Sequence, residues 1–291
     1  MQITADTLAK IAGGTMTAAR KANIASIIAG LEARGYALGL DQPQRLCHYI
    51  SQTGHESGRF VYDKEVWGPT PAQKRYDTRT DLGNTAAADG DGKLYMGRTG
   101  IQITGKANTT AFRDWCRDQG LPAPDFVANP DLMNTDPWEG LGPIWYWSTR
   151  NLNRYADMVD GLEMITRKIN GGTNGLDDRI ALYARTALVL LGRKLEAGAV
   201  KTFQAESGLI ADDIVGPATR KAFHAALVGL DDEEAVAPVV VTEPVAVPVV
   251  VPQSAPAVSA DPADFIPALT LPEYLKLADH CITAARQLTE A

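Results

Sequence analysis

The chain has 291 residues, 45% of them hydrophobic, with 28 Lys and Arg against 35 Asp and Glu, enough material for one sizeable core and a smaller unit. It contains no run of about 18 apolar residues to span a bilayer, and no Lys/Arg cluster of the kind that nucleic-acid binding requires, so both classes are excluded. The charge is uneven: residues 1–195 hold 23 basic and 21 acidic side chains, whereas residues 196–291 hold 5 and 14, an acidic tail behind a near-neutral body.

The opening segment, MQITADTLAKIAGG, has no charged stretch followed by about 7–15 apolar residues, so no secretory signal is read and a cytoplasmic start is expected. Apolar residues then recur at helical spacing. One helix is predicted over 18–34, with Ile24, Ile27, Ile28 and Leu31 on one face and Gly35 as its C-terminal cap. A second is expected to start with Asp41 as N-cap and Pro43 in its first turn, carrying Leu46, Tyr49, Ile50 and Thr53 inward. Residues 63–100, rich in Gly, Asp, Thr and Pro, read as a long irregular region, and loops of that length in compact domains are usually functional. Helical patterns return at 109–119, 138–147, 162–169 and 177–191, the last with Ile180, Tyr183, Ala184, Ala187 and Leu191 on one stripe.

Residues 198–229 hold two short helical stretches around the turn 208–217, too few to bury a core alone, so they must lean on the body. Between 235 and 262 six prolines and ten valines in 28 residues favour extended chain, which at about 3.1 Å per residue reaches roughly 85 Å. Beyond it Thr270-Leu271-Pro272-Glu273 has the form of a capping box, followed by Leu275, Ala278, Ile282, Ala285 and Leu288 on one stripe. An amphipathic helix of about five turns is marginal in water, so self-association, a partner or the body would cover it; a partly disordered tail is the equal alternative.

Chemistry is concentrated at His55-Glu56-Ser57-Gly58, the end of the second helix. Stepping about 100° per residue, Glu56 lies near the direction of Tyr49 and Thr53, toward the interior. Desolvation there favours the neutral carboxyl, the form a general acid uses. Glu65 would lie on the far side of one continuous helix, but Gly58 and the loss of helical pattern after Phe60 allow the chain to turn back. The two carboxyls then flank one glycosidic bond as acid and base; as an isolated pair, two solvated carboxylates are the more common arrangement. Cys47, Cys116 and Cys281 are odd in number, share no metal-ligand spacing and are read as reduced. His48, His55 and Glu56 lack the H-E-x-x-H spacing of a zinc site, and Asp89-Gly90-Asp91-Gly92 lacks the position-12 Glu of a calcium loop, so no metal site is expected.

Taken in order and spacing, His55-Glu56-Ser57-Gly58, then Tyr95-Met96-Gly97-Arg98-Thr99-Gly100-Ile101-Gln102-Ile103-Thr104-Gly105 with Asn108, then Ile165-Thr166-Arg167-Lys168-Ile169-Asn170-Gly171-Gly172 and Asp178-Arg179, resemble the family 19 glycoside hydrolases. The likeness is to their phage and prophage endolysin branch, where Ala72–Tyr76 through Asp81–Thr85 also have counterparts, and it covers roughly residues 15–192. The resemblance implies a mainly α, lysozyme-like two-lobed helical domain with a substrate cleft. It implies Glu56 as general acid, Glu65 as the carboxylate that activates water, and Thr104 as the hydroxyl that holds that water. Gln102 and Asn108 would bind sugar, His55, Asn170 and Arg179 would line the cleft, and an Arg near Glu65 would keep that base ionised. Tyr95, Trp67 and Tyr76 would offer aromatic faces to sugar rings, with buried core as their other role. Two departures stand out: Thr99, where glycine is common, and Thr109-Thr110, where an aromatic often follows the Asn.

A weaker resemblance links Val200-Lys201-Thr202-Phe203-Gln204, Gly208-Leu209 and Asp212-Asp213-Ile214-Val215-Gly216-Pro217-Ala218-Thr219 to the latter half of a common peptidoglycan-binding module, with Asp213 in place of its Gly. The expected organisation is therefore a family 19 catalytic domain over 1–195, a degenerate peptidoglycan-binding-like segment over 196–230, an acidic then Pro/Val/Ala-rich linker over 231–262 and a C-terminal amphipathic helix over 263–291. The expected function is an endolysin that hydrolyses the β-1,4 bonds of peptidoglycan glycan strands without a cofactor, held in the host bacterial cytoplasm until a holin or equivalent lesion releases it to the wall. Chitin is the alternative substrate. A lytic transglycosylase, needing only Glu56, and a non-catalytic wall-binding or virion structural protein are the alternatives from other classes.

Overall fold

A computed structural model describes the backbone of residues 1–236 and the side chains of residues 1–230. The Pro/Val-rich linker, Cys281 and the capping-box helix lie outside the described residues. Among the described residues twelve α-helices follow one another: α1 Ala5–Ala12, α2 Ala18–Gly30, α3 Pro43–Glu56, α4 Pro71–Lys74, α5 Asp91–Leu94, α6 Lys106–Asp118, α7 Trp138–Thr149, α8 Asn153–Ala156, α9 Leu162–Asn170, α10 Leu176–Leu190, α11 Ala199–Glu206 and α12 Pro217–Val236. Among the described residues there is no named strand, and only isolated bridges join Lys64 to Arg98 and Arg98 to Ile103. The helix-rich, lysozyme-like architecture is the one expected.

Two boundaries differ from expectation. Gly35 does not cap α2: the helix runs on through a π turn, Leu31–Gly35, and a 3₁₀ turn, Tyr36–Leu38, before Gly39 ends it at φ 87°. Gly35 stays right-handed and serves close packing, since a Cβ there would lie 2.9 Å from Leu31 Cδ2 and 3.1 Å from Ile144 Cδ1. Nor does Asp41 cap α3. The residue before proline is driven to extended backbone, so Gln42 (ψ 126°) is the boundary, with no side-chain cap, and Asp41 instead gives its carbonyl to the N-terminal amine.

The core is built around α3, which is buried on nearly every side between α10 and α12. Leu46, Tyr49, Ile50 and Thr53 point inward as their spacing requires, and Cys47, His48, Ser51 and Gln52 are buried as well. The α10 stripe is likewise wider than one face: Leu182, Leu188, Val189 and Leu190 are buried beside Tyr183, Ala184 and Ala187. Helices α2 and α7 cross at a glycine pair. A Cβ on Gly30 would lie 2.3 Å from the Gly140 carbonyl carbon, and one on Gly140 would lie 1.7 Å from Ser26 O, so only glycine admits this approach.

The α11–α12 pair leans on the body through aromatic packing. Phe203 and Phe223 stack at 4.1 Å, Phe223 meets Tyr183 edge-on at 6.4 Å, and Leu227 joins the same core. Gln204 ties the intervening turn: its Nε2 donates to Asp212 Oδ1, Ile214 O and Thr219 Oγ1, while its Oε1 accepts from Asp213 N–H. Asp213 takes φ 65° in this turn. Two buried histidines, His48 on α3 and His224 on α12, interact across this junction, each with a ring Nδ1 that makes no hydrogen bond among the described residues.

Burial, with His224 nearby, pushes His48 down to about 3, and burial also lowers His224. Below about pH 6.5 the unfolded chain takes up protons on these rings that the folded chain refuses. Their contribution to stability is therefore complete above that pH and is lost as pH falls toward 3. Thermal unfolding followed between pH 7.5 and 4.5 should show a falling midpoint, and a His48→Leu/His224→Leu double variant should show a shallower fall. An equal fall in both proteins would refute the assignment.

Candidate active site

The last turns of α3 present Gln52, His55 and Glu56 toward α9 and α10. Gln52 Nε2 donates to Thr166 Oγ1 of α9 at 3.1 Å, and Gln52 Oε1 accepts from Arg179 Nη1 of α10. Arg179 Nη2 donates to Glu56 Oε1 at 2.5 Å, with the two side chains 2% and 8% exposed. A chain of polar contacts thus runs Thr166, Gln52, Arg179, Glu56 through the interior. Arg179, expected to line the cleft, is the partner of Glu56, because the α3–α10 packing sets their side chains face to face.

His55 lies beside this pair. Its Nδ1 is 2.7 Å from Asp178 Oδ2, and Arg59 Nη2 donates to the other oxygen at 3.1 Å. The His55 hydrogen bond, with Arg59 adding to it, holds the Asp178 carboxyl down at about 2. The His55 ring sits on Gly175, where a Cβ would lie 2.3 Å from Nε2. Asn170 closes α9 and shapes the turn leading there: its Nδ2 donates to Asn174 O and its Oδ1 accepts from Gly172 N–H. His55, Glu56, Asn170 and Arg179 therefore share one wall.

Glu65 sits on another wall, in a polar socket. Gln73 Nε2 donates to Oε1 at 2.9 Å, the Tyr76 hydroxyl donates to the same oxygen at 3.3 Å, and Gly97 N–H donates to Oε2 at 3.1 Å. The Glu65 N–H returns a bond to Gly97 O at 2.8 Å. Gln102 and Thr104 flank Gly97, since a Cβ there would lie 2.7 Å from Gln102 Oε1 and 3.2 Å from Thr104 Oγ1. Asn108, in the first turn of α6, donates through Nδ2 to Thr104 O. Glu65, Gln102, Thr104 and Asn108 are thus brought together, and the loop that carries them approaches the end of α3: a Cβ on Gly100 would lie 3.7–3.8 Å from Thr53, Ser57 and Pro143.

Tyr95 is not a sugar platform. It is 3% exposed and its hydroxyl donates to Val127 O, so the ring belongs to the wall's interior. Tyr76 is equally buried and serves Glu65; Trp67, 6.2 Å from Tyr76, is the partly exposed aromatic of the three. Thr99, at the departure from the family pattern, is fully buried at φ 65° and fits because Gly142 faces it: a Cβ on Gly142 would meet Thr99 Oγ1 at 2.4 Å.

Sequence reasoning missed three residues. Gln52 precedes Glu56 by four positions and so shares its helix face, a signal that was available. Gln73 is N3 of a Thr70-Gln73 capping box, a pattern visible in the sequence, but its second role against Glu65 is not. Arg59 follows Gly58 in the turn after α3, and nothing in its spacing foretells the bond to Asp178. Among the described residues no group of three or more His, Cys, Asp or Glu side chains is placed to hold a metal ion.

No family model matches the chain. It is 34% identical over 160 residues to a glycosyl hydrolase family 19 domain-containing protein of Haemophilus influenzae, an alignment covering 46% of this chain and 74% of that one. It is 31% identical over 150 residues to a basic 30 kDa endochitinase of Solanum lycopersicum and 30% identical over 150 residues to endochitinase B of Nicotiana tabacum, in each case 42% of this chain and 44% of the relative. The chain thus spans less than half the length of these plant relatives. The crystal structure of chitinase C from Streptomyces griseus superposes with a TM-score of 0.50 at 20% identity, over 68% of this chain and 79% of that one.

The buried pair makes a stability prediction. Removing one partner strands the other charge in the interior, which costs about 3–5 kcal/mol. Arg179→Leu should lose that much in urea unfolding, and adding Glu56→Gln should restore part of the loss; strict additivity of the two losses would show that the pair does not interact.

Proposed function

The chain belongs to glycoside hydrolase family 19 and is a glycoside hydrolase, and from that premise we propose that it is an endolysin cutting β-1,4 bonds of peptidoglycan by an inverting mechanism. The observation that supports the mechanism is the pair of carboxyl groups each held by its own set of partners, Glu56 by Arg179 and Glu65 by Gln73, Tyr76 and Gly97. Glu56 gives a proton to the glycosidic oxygen. Arg179 occupies Oε1, so Oε2 is the oxygen assigned to that proton. Glu65 takes a proton from the water that attacks the anomeric carbon on the opposite face, and the bond breaks with inversion. The Thr104 hydroxyl, next to Gly97, is suited to hold that water, with Gln102 and Asn108 beside it for sugar.

The peptidoglycan reading is supported by the α11–α12 segment, whose Gln204-centred turn and stacked phenylalanines suit a degenerate wall-binding module fused to the body. Release by a holin and a phage or prophage role belong to the same reading. A second reading, chitin as substrate, is favoured by the likeness to proteins named endochitinases.

Mass spectrometry of fragments from purified sacculi and from chitin decides between them. The wild type should release new reducing ends from sacculi, and Glu56→Gln and Glu65→Gln should each lower the rate by about 10²–10⁴-fold. Release from chitin alone would transfer the assignment to a chitinase. Anhydro ends with indifference to Glu65→Gln would mean a transglycosylase, and sacculus binding without fragments a non-catalytic wall protein.

A further inference from the structure

The turn that follows Glu56 has an unusual backbone. Gly58, Arg59 and Phe60 lie consecutively at φ 59°, 61° and 66°, and for two non-glycine residues this region is strained. The strain is held from α2. Arg20 Nε donates to Arg59 O at 2.8 Å, Asn23 Nδ2 donates to Phe60 O and Val61 O, and Phe60 N–H donates to Ser57 Oγ while its ring is buried. The outcome is that Arg59 is set against Asp178, with its side chain 40% exposed.

The charges around it are unbalanced. The Arg20 guanidinium is buried and, among the described residues, donates to backbone carbonyls, those of Arg59, Thr15 and Ala12, and the Arg185 guanidinium likewise serves Ile11 O and Lys10 O. Both guanidiniums feel Arg59 electrostatically. Arg59 therefore has two like-charged neighbours, Arg20 and Arg185, and, among the described residues, one carboxylate partner, Asp178, which His55 also shares. Of the five N–H donors of the Arg59 guanidinium, one is used among the described residues, on Asp178. What remains is a half-exposed planar fork that matches a carboxylate in shape and charge. Asp178 links it, through two hydrogen bonds, to His55, the residue before Glu56.

We propose that Arg59 docks a carboxylate carried by the glycan and so is a specificity-determining residue that favours carboxylated over neutral strands. The inference rests on the hydrolase reading above. Two carboxylates supply this chemistry on peptidoglycan: one on a stem peptide, the other the lactyl group left free when the peptide is removed.

The test compares kcat/KM of the wild type, Arg59→Gln and Arg59→Lys on soluble peptide-bearing strands, on the same strands stripped of peptide, and on chitooligosaccharide. Arg59→Gln should lower the ratio of carboxylated to neutral kcat/KM by about tenfold, mostly through KM, as loss of one charge-assisted contact requires. Arg59→Lys should keep part of the preference, and added salt should narrow it in the wild type. A loss confined to peptide-bearing strands identifies the stem carboxylate, a loss confined to the stripped strands identifies the lactyl group, and a loss on both shows that either carboxylate is docked. A ratio unchanged in Arg59→Gln, or an equal loss on all three substrates, overturns the inference while the hydrolase reading stands. A wild type that cuts only chitooligosaccharide overturns both.

Discussion

Two buried charges organise this molecule: the Arg179 guanidinium, 2% exposed, against the Glu56 carboxylate, 8% exposed. Neither is tolerable alone in the interior, where an uncompensated charge is expensive. Each therefore dictates the position of the helix that bears it, and α3 and α10 must pack so that the pair meets. Gln52 extends the requirement to Thr166 on α9, which fixes a third helix in the same network. A cleft wall built in this way holds its carboxyl group through packing of the whole core and not through a loop that fluctuates on its own.

The opposing wall uses a different device. Glu65 sits in an irregular stretch with no long helix to hold it, and its anchoring is a convergence of a backbone N–H from Gly97, an amide from Gln73 and a phenol from Tyr76. Gln73 also closes its own short helix and accepts from Gly68 and Thr70 N–H, so one side chain orders the loop and the carboxylate together. Beneath the 97–105 loop lies α7, whose Gly142 leaves space for Thr99 and whose Pro143 faces Gly100. The Gly30–Gly140 crossing sets α7 against α2, and α2 in turn pins the strained turn at Arg59 and Phe60. The two walls are coupled through this helix pair, which links backbone geometry far from the carboxylates to the shape of the cleft.

The two carboxyl groups meet different partners. Glu56 accepts from a guanidinium, whereas Gln73, Tyr76 and Gly97 are among the donors to Glu65. The α11–α12 segment adds no group to either wall among the described contacts; it shares the core through Phe203, Phe223 and Leu227.

The helix-rich class, the inward faces of α3 and the placement of Glu56 toward the interior were all legible in the sequence, because helical periodicity is a local property that a 3.6-residue repeat writes directly into residue order. The long irregular region around Glu65 was legible for the same reason, as a loss of that repeat. What the sequence did not contain was any pairing across distance. Arg179 pairs with Glu56, Tyr95 turns into the core, Gln73 reaches the carboxylate eight residues before it, and Gly35 serves packing while Gly39 ends the helix. Each of these was decided by which helix faces meet, and that choice depends on the burial of the whole core and on the need of every buried charge and polar group to find a partner, a condition that only the closed tertiary structure imposes.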